Sequence, residues 1–227
     1  KRGIPAGAVV RGTDKGYDDP VKTTLKPGSE RPVEKVDQKY PYMRPRDAAT
    51  LILVRQKGKV PEVLLGCRDA KHAFMPNRYV FPGGRVDAAD YDRPVANALA
   101  ADCVRRTGAD ARLAAALASA ALRETEEETG LVLPRDHGPL TLAARAITPT
   151  NSPVRFHARF FAADAGLASG EAADTSELAD LAWRTFDESL TLPLYDITEA
   201  VLRTLQAEGA PFVMTYRAGT TLVRALP

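Results

Sequence analysis

Arg123 to Gly130 reads RETEEETG and places four glutamates within five consecutive positions. On a helix, like charges four residues apart repel by roughly 0.2–0.5 kcal/mol per pair. Such density signals either a well-solvated acidic face or a site built for a divalent cation. The angular positions separate these readings. At about 100° per residue, with Leu117 set to zero, Leu113 falls near −40°, Ala121 near +40°, Glu124 near −20°, Glu128 near +20° and Glu127 near −80°. Glu126 points the opposite way, to solvent. A solvated acidic face lies opposite the apolar stripe of an amphipathic helix, whereas Glu124, Glu127 and Glu128 extend that stripe. Carboxylates shielded from water raise their pKa values or recruit a cation, and hard oxygen ligands suit Mg²⁺ or Mn²⁺. The i, i+3, i+4 spacing lets one helix deliver all three acids to one ion. Arg123, beside them, has a planar fork able to hold a carboxylate. The plainer reading of Arg123 is an exposed i,i+4 pair with Glu127, which would contribute little.

Outward from this segment, the pattern is mixed. Ala48–Arg68, AATLILVRQKGKVPEVLLGCR, holds two apolar, β-branched runs around QKGKVP and predicts a hairpin. Arg78–Phe81, RYVF, predicts a short strand that ends in Pro82-Gly83-Gly84, where proline stops the ladder and glycines allow a turn. The spacing then predicts a short helix within Val86–Gly108 and a longer one from about Asp110 to Thr129, with Gly130 as its stop. Further on, LTLAARAIT and VRFHARFFAA read as strands, SELADLAWRTF includes another, and DITEAVLRTLQAEG is an amphipathic helix. The expected class is α+β, with helices packed on a sheet.

Composition bounds the rest. The chain has 227 residues, 44% hydrophobic and 26% charged, with a formal net charge of +2. That is enough for one main domain, and it displays neither a nucleic-acid surface nor a membrane patch, so neither partner is expected. Residues 1–46 are Pro-, Lys- and Gly-rich and net basic, an arm that lies on its own domain or a partner subunit, ahead of a globular unit at 47–227. Cys67 and Cys103 form no CxxC, so neither a disulfide framework nor a cysteine zinc site is indicated, and a reducing, cytoplasmic setting fits. No signal or membrane-spanning segment is apparent, and the terminal VRALP is not a peroxisomal address. His72, His137 and His157 are not spaced as metal ligands and read as structural or surface residues. Trp183 reads as core.

Arg123, Glu124, Glu127, Glu128, Gly130 and Leu131 are in register with the second half of the Nudix box, G-x5-E-x7-R-E-U-x-E-E-x-G-U, where U is a bulky aliphatic. Gly84 in FPGG resembles its first glycine, and x5 onward from it lies Asp90, where the family has Glu. Thr125 replaces the aliphatic position, and the segment between Asp90 and Arg123 is much longer than seven residues. That insertion, about 91–112, is similar to the branch of the Nudix superfamily that includes the peroxisomal coenzyme A diphosphatase. FPGGRVDAAD before the insertion, RETEEETG after it, and ITPTNSPVRFHARFF and ELADLAWRT downstream carry the likeness, from roughly Pro45 to the C-terminus.

The resemblance implies a Nudix fold, an α/β/α sandwich around a mixed sheet with a loop–helix–loop box. It implies cleavage of the pyrophosphate bond of a nucleoside diphosphate linked to another moiety. Coenzyme A or acyl-CoA is favoured, with ADP-ribose or a nucleotide sugar as the alternative. A third reading, a non-catalytic Nudix-fold nucleotide-binding module, is opposed by retention of all three acids in the second half of the box. Carried over by position, Glu124, Glu127 and Glu128 would hold Mg²⁺ or Mn²⁺. Glu124, Arg123 and Glu127 would form the catalytic group, with Glu124 a ligand or the base and Arg123 orienting the acids. Gly83 and Gly84 would admit close backbone approach. Arg68, Lys71, Arg78 and Arg85 would form an anion-binding rim for the diphosphate substrate. Arg155 resembles a recurrent family arginine without an assigned role, and Asp90 reads as a loop cap rather than a ligand. A later loop sometimes supplies the base in this superfamily; Glu171 and Glu177 are loose candidates for it, read rather as surface groups. Nudix proteins are commonly dimers, which admits a homodimer.

Overall fold

The computed structural model describes residues 41–68, 77–93, 95, 99–134, 139–217 and 220–227. Most of the basic arm, and Lys71, His72 and His137, lie outside the described residues. Strands β1 (Arg46–Lys57) and β2 (Val60–Arg68) form the expected antiparallel hairpin, with Lys57 opposite Val60. β3 (Tyr79–Val80) pairs with the end of β2. Gly83–Arg85, expected as a turn, is itself a strand, β4, antiparallel to the first half of β1. One edge of β1 is therefore shared, β4 taking its start and β2 its end.

Helices α1 (Ala88–Asp92), α2 (Ala101–Thr107) and α3 (Ala111–Thr129) follow, then β5 (Thr141–Ile147), β6 (Phe156–Asp164) and β7 (Leu178–Thr185). The chain closes with α4 (Phe186–Ser189), α5 (Asp196–Gln206), β8 (Phe212–Arg217) and β9 (Thr220–Ala225). The sheet runs β3-β2-β1-β6-β5-β8-β9, with β7 added to β2. β1 with β6 and β5 with β8 are parallel, and the other pairs are antiparallel, so the sheet is mixed.

Period-2 alternation splits the apolar residues between two faces. Leu51, Leu53, Leu64 and Phe161 join Leu117, Ala118 and Ala121 of α3 in one core. Ile52, Val63, Leu65 and Phe160 join Ile197, Val201 and Leu202 of α5 in the other. The result is the α/β/α arrangement that the resemblance implied, two helix layers around one sheet. Among the described residues no helix is long and apolar enough to cross a membrane.

The acidic helix is delivered by its ends. At the start, the Asp110 side chain accepts a hydrogen bond from the N–H of Leu113 at 2.8 Å. At the finish, Gly130 adopts φ 74°, the left-handed conformation that glycine takes without steric cost, and its N–H donates to the Glu126 carbonyl. Between them, Ala114, Ala116, Ala118, Ala120 and Ala121 are fully buried, and such small side chains let the helix sit close to the sheet. Thr125, at the position where an aliphatic was expected, is also fully buried, and its hydroxyl donates to the Ala121 carbonyl at 2.7 Å.

Candidate active site

β1 fixes β4 by pairing Thr50 with Gly83 and Ala49 with Gly84, and this sets two glycines beneath the last turns of α3. The N–H of Gly83 donates to Glu128 Oε2 at 2.7 Å. A Cβ on Gly83 would lie 2.5 Å from the Ala49 carbonyl oxygen, and one on Gly84 would lie 2.3 Å from the Glu124 carboxylate. Backbone therefore meets acid at a distance no other residue permits.

Arg123 organises the acids. Its Nε and Nη2 donate to the two oxygens of Asp90 at 3.0 Å each, Nη1 donates to Glu124 Oε1 and Glu127 Oε2 at 2.9 Å each, and Nη2 also donates to the Arg85 carbonyl at 3.0 Å. All five guanidinium N–H groups are engaged. The i,i+4 pair with Glu127 exists, but as one arm of this wider network. Asp90 is 2% exposed and also accepts from the Asp87 N–H, completing a capping box at the start of α1. It is a cap, as expected, and in addition the anchor of Arg123. The hydrogen bond from Arg123 to Asp90 is the main cause holding the guanidinium pKa above its usual value.

The three acids differ in environment. Glu128 is 3% exposed, and burial pushes its carboxyl up to about 8 against the opposing pull of the Gly83 N–H and the Arg68 charge. Glu124 is mostly buried, and burial raises its pKa too, with Arg123 opposing. Glu127 is 58% exposed at its side chain and lies at the rim, matching its wider angle from the apolar stripe. Their carboxylates are held by separate partners, Arg123 for Glu124 and Glu127, Gly83 for Glu128. Among the described residues no three acids, histidines or cysteines are already gathered as a metal cage.

All three acids nevertheless open onto one cleft of about 450 Å³, with Gly83, Gly84, Arg85, Arg123 and Arg68 on its walls. Apolar and aromatic side chains, Phe81, Phe156, Phe160, Ile197 and Tyr216, line the same cleft. Glu177, read from sequence as a surface group, also lines the cleft, and its charge bears on both Glu124 and Glu128. Arg68 Nη2 donates to the Gly83 carbonyl at 3.2 Å, while its buried Nε has no hydrogen-bond partner among the described residues.

The remaining expected positions divide. Arg78 is not on the cleft wall; its guanidinium lies over the Tyr195 ring at 5.7 Å. Glu171 is exposed and likewise does not line the cleft. Arg155 is 6% exposed and donates to the carbonyls of Thr148 and Met43, stapling the entry to β1 against β6. His157 is structural, its Nε2 accepting from Arg145 Nε at 3.3 Å. Trp183 packs at the margin of the core that contains α3, with Arg55 over its ring.

The NUDIX domain family model matches residues 44–205. The fold is similar to a NUDIX hydrolase from Alicyclobacillus acidocaldarius, 27% identical, with a TM-score of 0.55, over 72% of this chain and 92% of that one. It is also similar to a MutT protein from Bacillus halodurans, 17% identical with a TM-score of 0.50, over 80% of this chain and 99% of that one; this match concerns the fold alone. No match is found among curated proteins.

Proposed function

The chain belongs to the Nudix family, and from that premise we propose that it is a cation-dependent diphosphatase that prefers coenzyme A or acyl-CoA, with Mg²⁺ or Mn²⁺ as the cation. Nudix hydrolases cleave pyrophosphate bonds in nucleoside diphosphate derivatives, and this chain is one of them. The observation that carries the site reading is the meeting of Glu124, Glu127, Glu128 and Glu177 with Arg68 on one cleft. Residues 47–227 are taken as the catalytic unit.

The donor set fits a hard divalent ion, since acid oxygens from two turns of one rigid helix face the same space. Glu124, Glu127 and Glu128 would hold it. When bound, such a cation supplies positive charge against the diphosphate oxygens and makes water easier to deprotonate. Arg123 orients the acids and has no free N–H for substrate. Arg68 lies on the cleft wall, where its charge suits a phosphate oxygen. Glu124 is pinned by Arg123 and by the approach of Gly84, which suits a ligand better than a proton carrier. Glu177 faces the cleft, and its carboxylate makes no hydrogen bond to a described residue; it takes the proton from the attacking water. The apolar and aromatic lining of the cleft suits the part of the substrate beyond the diphosphate.

Support for coenzyme A rests on the interrupted box, FPGGRVDAAD then RETEEETG, and on Arg68 and Arg85, whose charges suit a substrate with more phosphates than the diphosphate alone. The test is a panel of coenzyme A, an acyl-CoA, ADP-ribose and a nucleotide sugar, with and without Mg²⁺ or Mn²⁺, for wild type, Glu127→Gln and Glu128→Gln. Cation-dependent turnover, fastest on coenzyme A and reduced by about 10²-fold or more in both variants, is expected. Faster turnover of ADP-ribose reassigns the substrate. Binding without turnover of any member makes the protein a non-catalytic module.

A further inference from the structure

Glu177 reaches the cleft from a loop, not from the helix that carries the other acids, so something must hold that loop in register with α3. The candidate is one hydroxyl. Thr175 Oγ1 donates to the carbonyl of Glu128 at 3.2 Å and accepts from the N–H of Glu177 at 3.3 Å and of Leu178 at 3.2 Å. One donor and two acceptor sites are the full capacity of a hydroxyl. The backbone of Thr175 also donates to the Leu178 carbonyl at 2.9 Å, so residues 175 and 178 close a tight loop with Ser176 and Glu177 at its tip. Leu178 is fully buried and anchors the base of that loop.

Neighbouring contacts give the same direction. The Ala173 N–H donates to the Thr129 carbonyl at 3.1 Å, so two carbonyls left open at the C-terminus of α3 are satisfied by this segment. The Asp174 carboxylate accepts from the N–H groups of Asp180 and Leu181 at 3.0 and 2.8 Å, tying the far side of the segment to β7. Within this frame only Thr175 bonds both to the backbone of an acidic-helix residue and to that of Glu177.

We propose that Thr175 is a positioning residue for the reaction: its hydroxyl locks Glu177 to the backbone of Glu128, so that the proton acceptor and the acids of α3 keep a fixed spacing. This rests on the diphosphatase reading above, with Glu177 as the group that takes the proton. Thr175→Val keeps the shape and removes the hydroxyl; Thr175→Ser keeps the hydroxyl.

The test is steady-state kinetics, on the panel member turned over fastest, of wild type, Thr175→Val, Thr175→Ser, Glu177→Gln and the Thr175→Val/Glu177→Gln double variant, with melting temperatures alongside. Expected are a fall of about tenfold in kcat for Thr175→Val with KM within about twofold, near-wild-type kcat for Thr175→Ser, and a fall of about 10²-fold for Glu177→Gln. The double variant should be no slower than Glu177→Gln alone, because a residue that acts only through Glu177 has nothing left to position. Additive losses, or Thr175→Val at wild-type kcat, overturn the inference and leave the diphosphatase reading standing. Wild-type kcat in Glu177→Gln overturns it too, since the partner then has no role. A wild type that cleaves no panel member removes both readings together.

Discussion

Gly84 faces the Glu124 carboxylate across a gap that admits no side chain, since an added Cβ would stand 2.3 Å from it. The obstructing atoms are the far end of a flexible side chain, so Gly84→Ala should cost little stability and much activity. A displacement of about 1 Å at a reacting group can cost roughly 10²-fold in rate; kcat is expected to fall by about that factor with the melting temperature nearly unchanged. Arg123→Lys should cost stability as well as activity. Lysine keeps the positive charge but cannot reproduce the fork that grips both oxygens of the buried Asp90 carboxylate, so one of them loses its partner. Leaving a buried acceptor without its hydrogen bond costs about 1–3 kcal/mol, which denaturant unfolding at neutral pH would read as a lowered midpoint. The Glu124 and Glu128 positions were legible from helical angle alone, because 100° per residue is a local rule. Glu177 was legible only as a loose candidate from the family likeness, and it is exposed as read; its place on the cleft depends on contacts between residues 47 positions apart, Thr175 to Glu128, which no local period encodes.

Helix α3 carries both halves of its task in one register. Its start, stop and inward face follow from Asp110, Gly130 and the alanine run, all readable in the letters. Thr125 departs from the family pattern without departing from its physics, for its hydroxyl is satisfied by the Ala121 carbonyl of its own helix. Thr125→Val should accordingly change stability by less than about 1 kcal/mol, because the carbonyl it leaves remains a helical acceptor; thermal unfolding of the two proteins side by side would show it. A loss well beyond that would mean the hydroxyl has a second task. The strands were legible as apolar runs where both faces are buried, as in Leu51 and Leu53 on one side of β1 and Ile52 on the other. The closing hairpin was not read. Phe212, Met214 and Tyr216 alternate on one face of β8, a usable signal, but β9 is exposed at all six positions and so has no apolar period to betray it. The strand character of Gly83–Arg85 was hidden for another reason: two glycines carry no β propensity, and only pairing with β1 makes them a strand.

At the scale of the whole molecule, two buried titratable groups set opposite pH dependences. Burial, reinforced by Arg159 and Arg145, pushes His157 down to about 4, well below its ordinary 6.5. The unfolded chain therefore binds a proton at this residue at higher pH than the folded chain does. Stability from this source is complete above about 6.5, falls as the pH drops toward 4, and levels off below that. Glu128 has the reverse sign. Its folded carboxyl stays protonated up to about 8 against an ordinary 4.5, so in cation-free protein its contribution is complete below 4.5 and is lost as the pH rises toward 8. The two slopes oppose each other between about 4.5 and 6.5, and a single stability curve would blur them. Comparison with His157→Gln separates them, since the variant keeps the Glu128 slope and loses the other. The difference in unfolding free energy between wild type and variant should shift by roughly 2–3 kcal/mol from pH 6.5 to pH 4, wild type losing the more. A pH-independent difference would mean that His157 keeps an ordinary pKa between its two arginines.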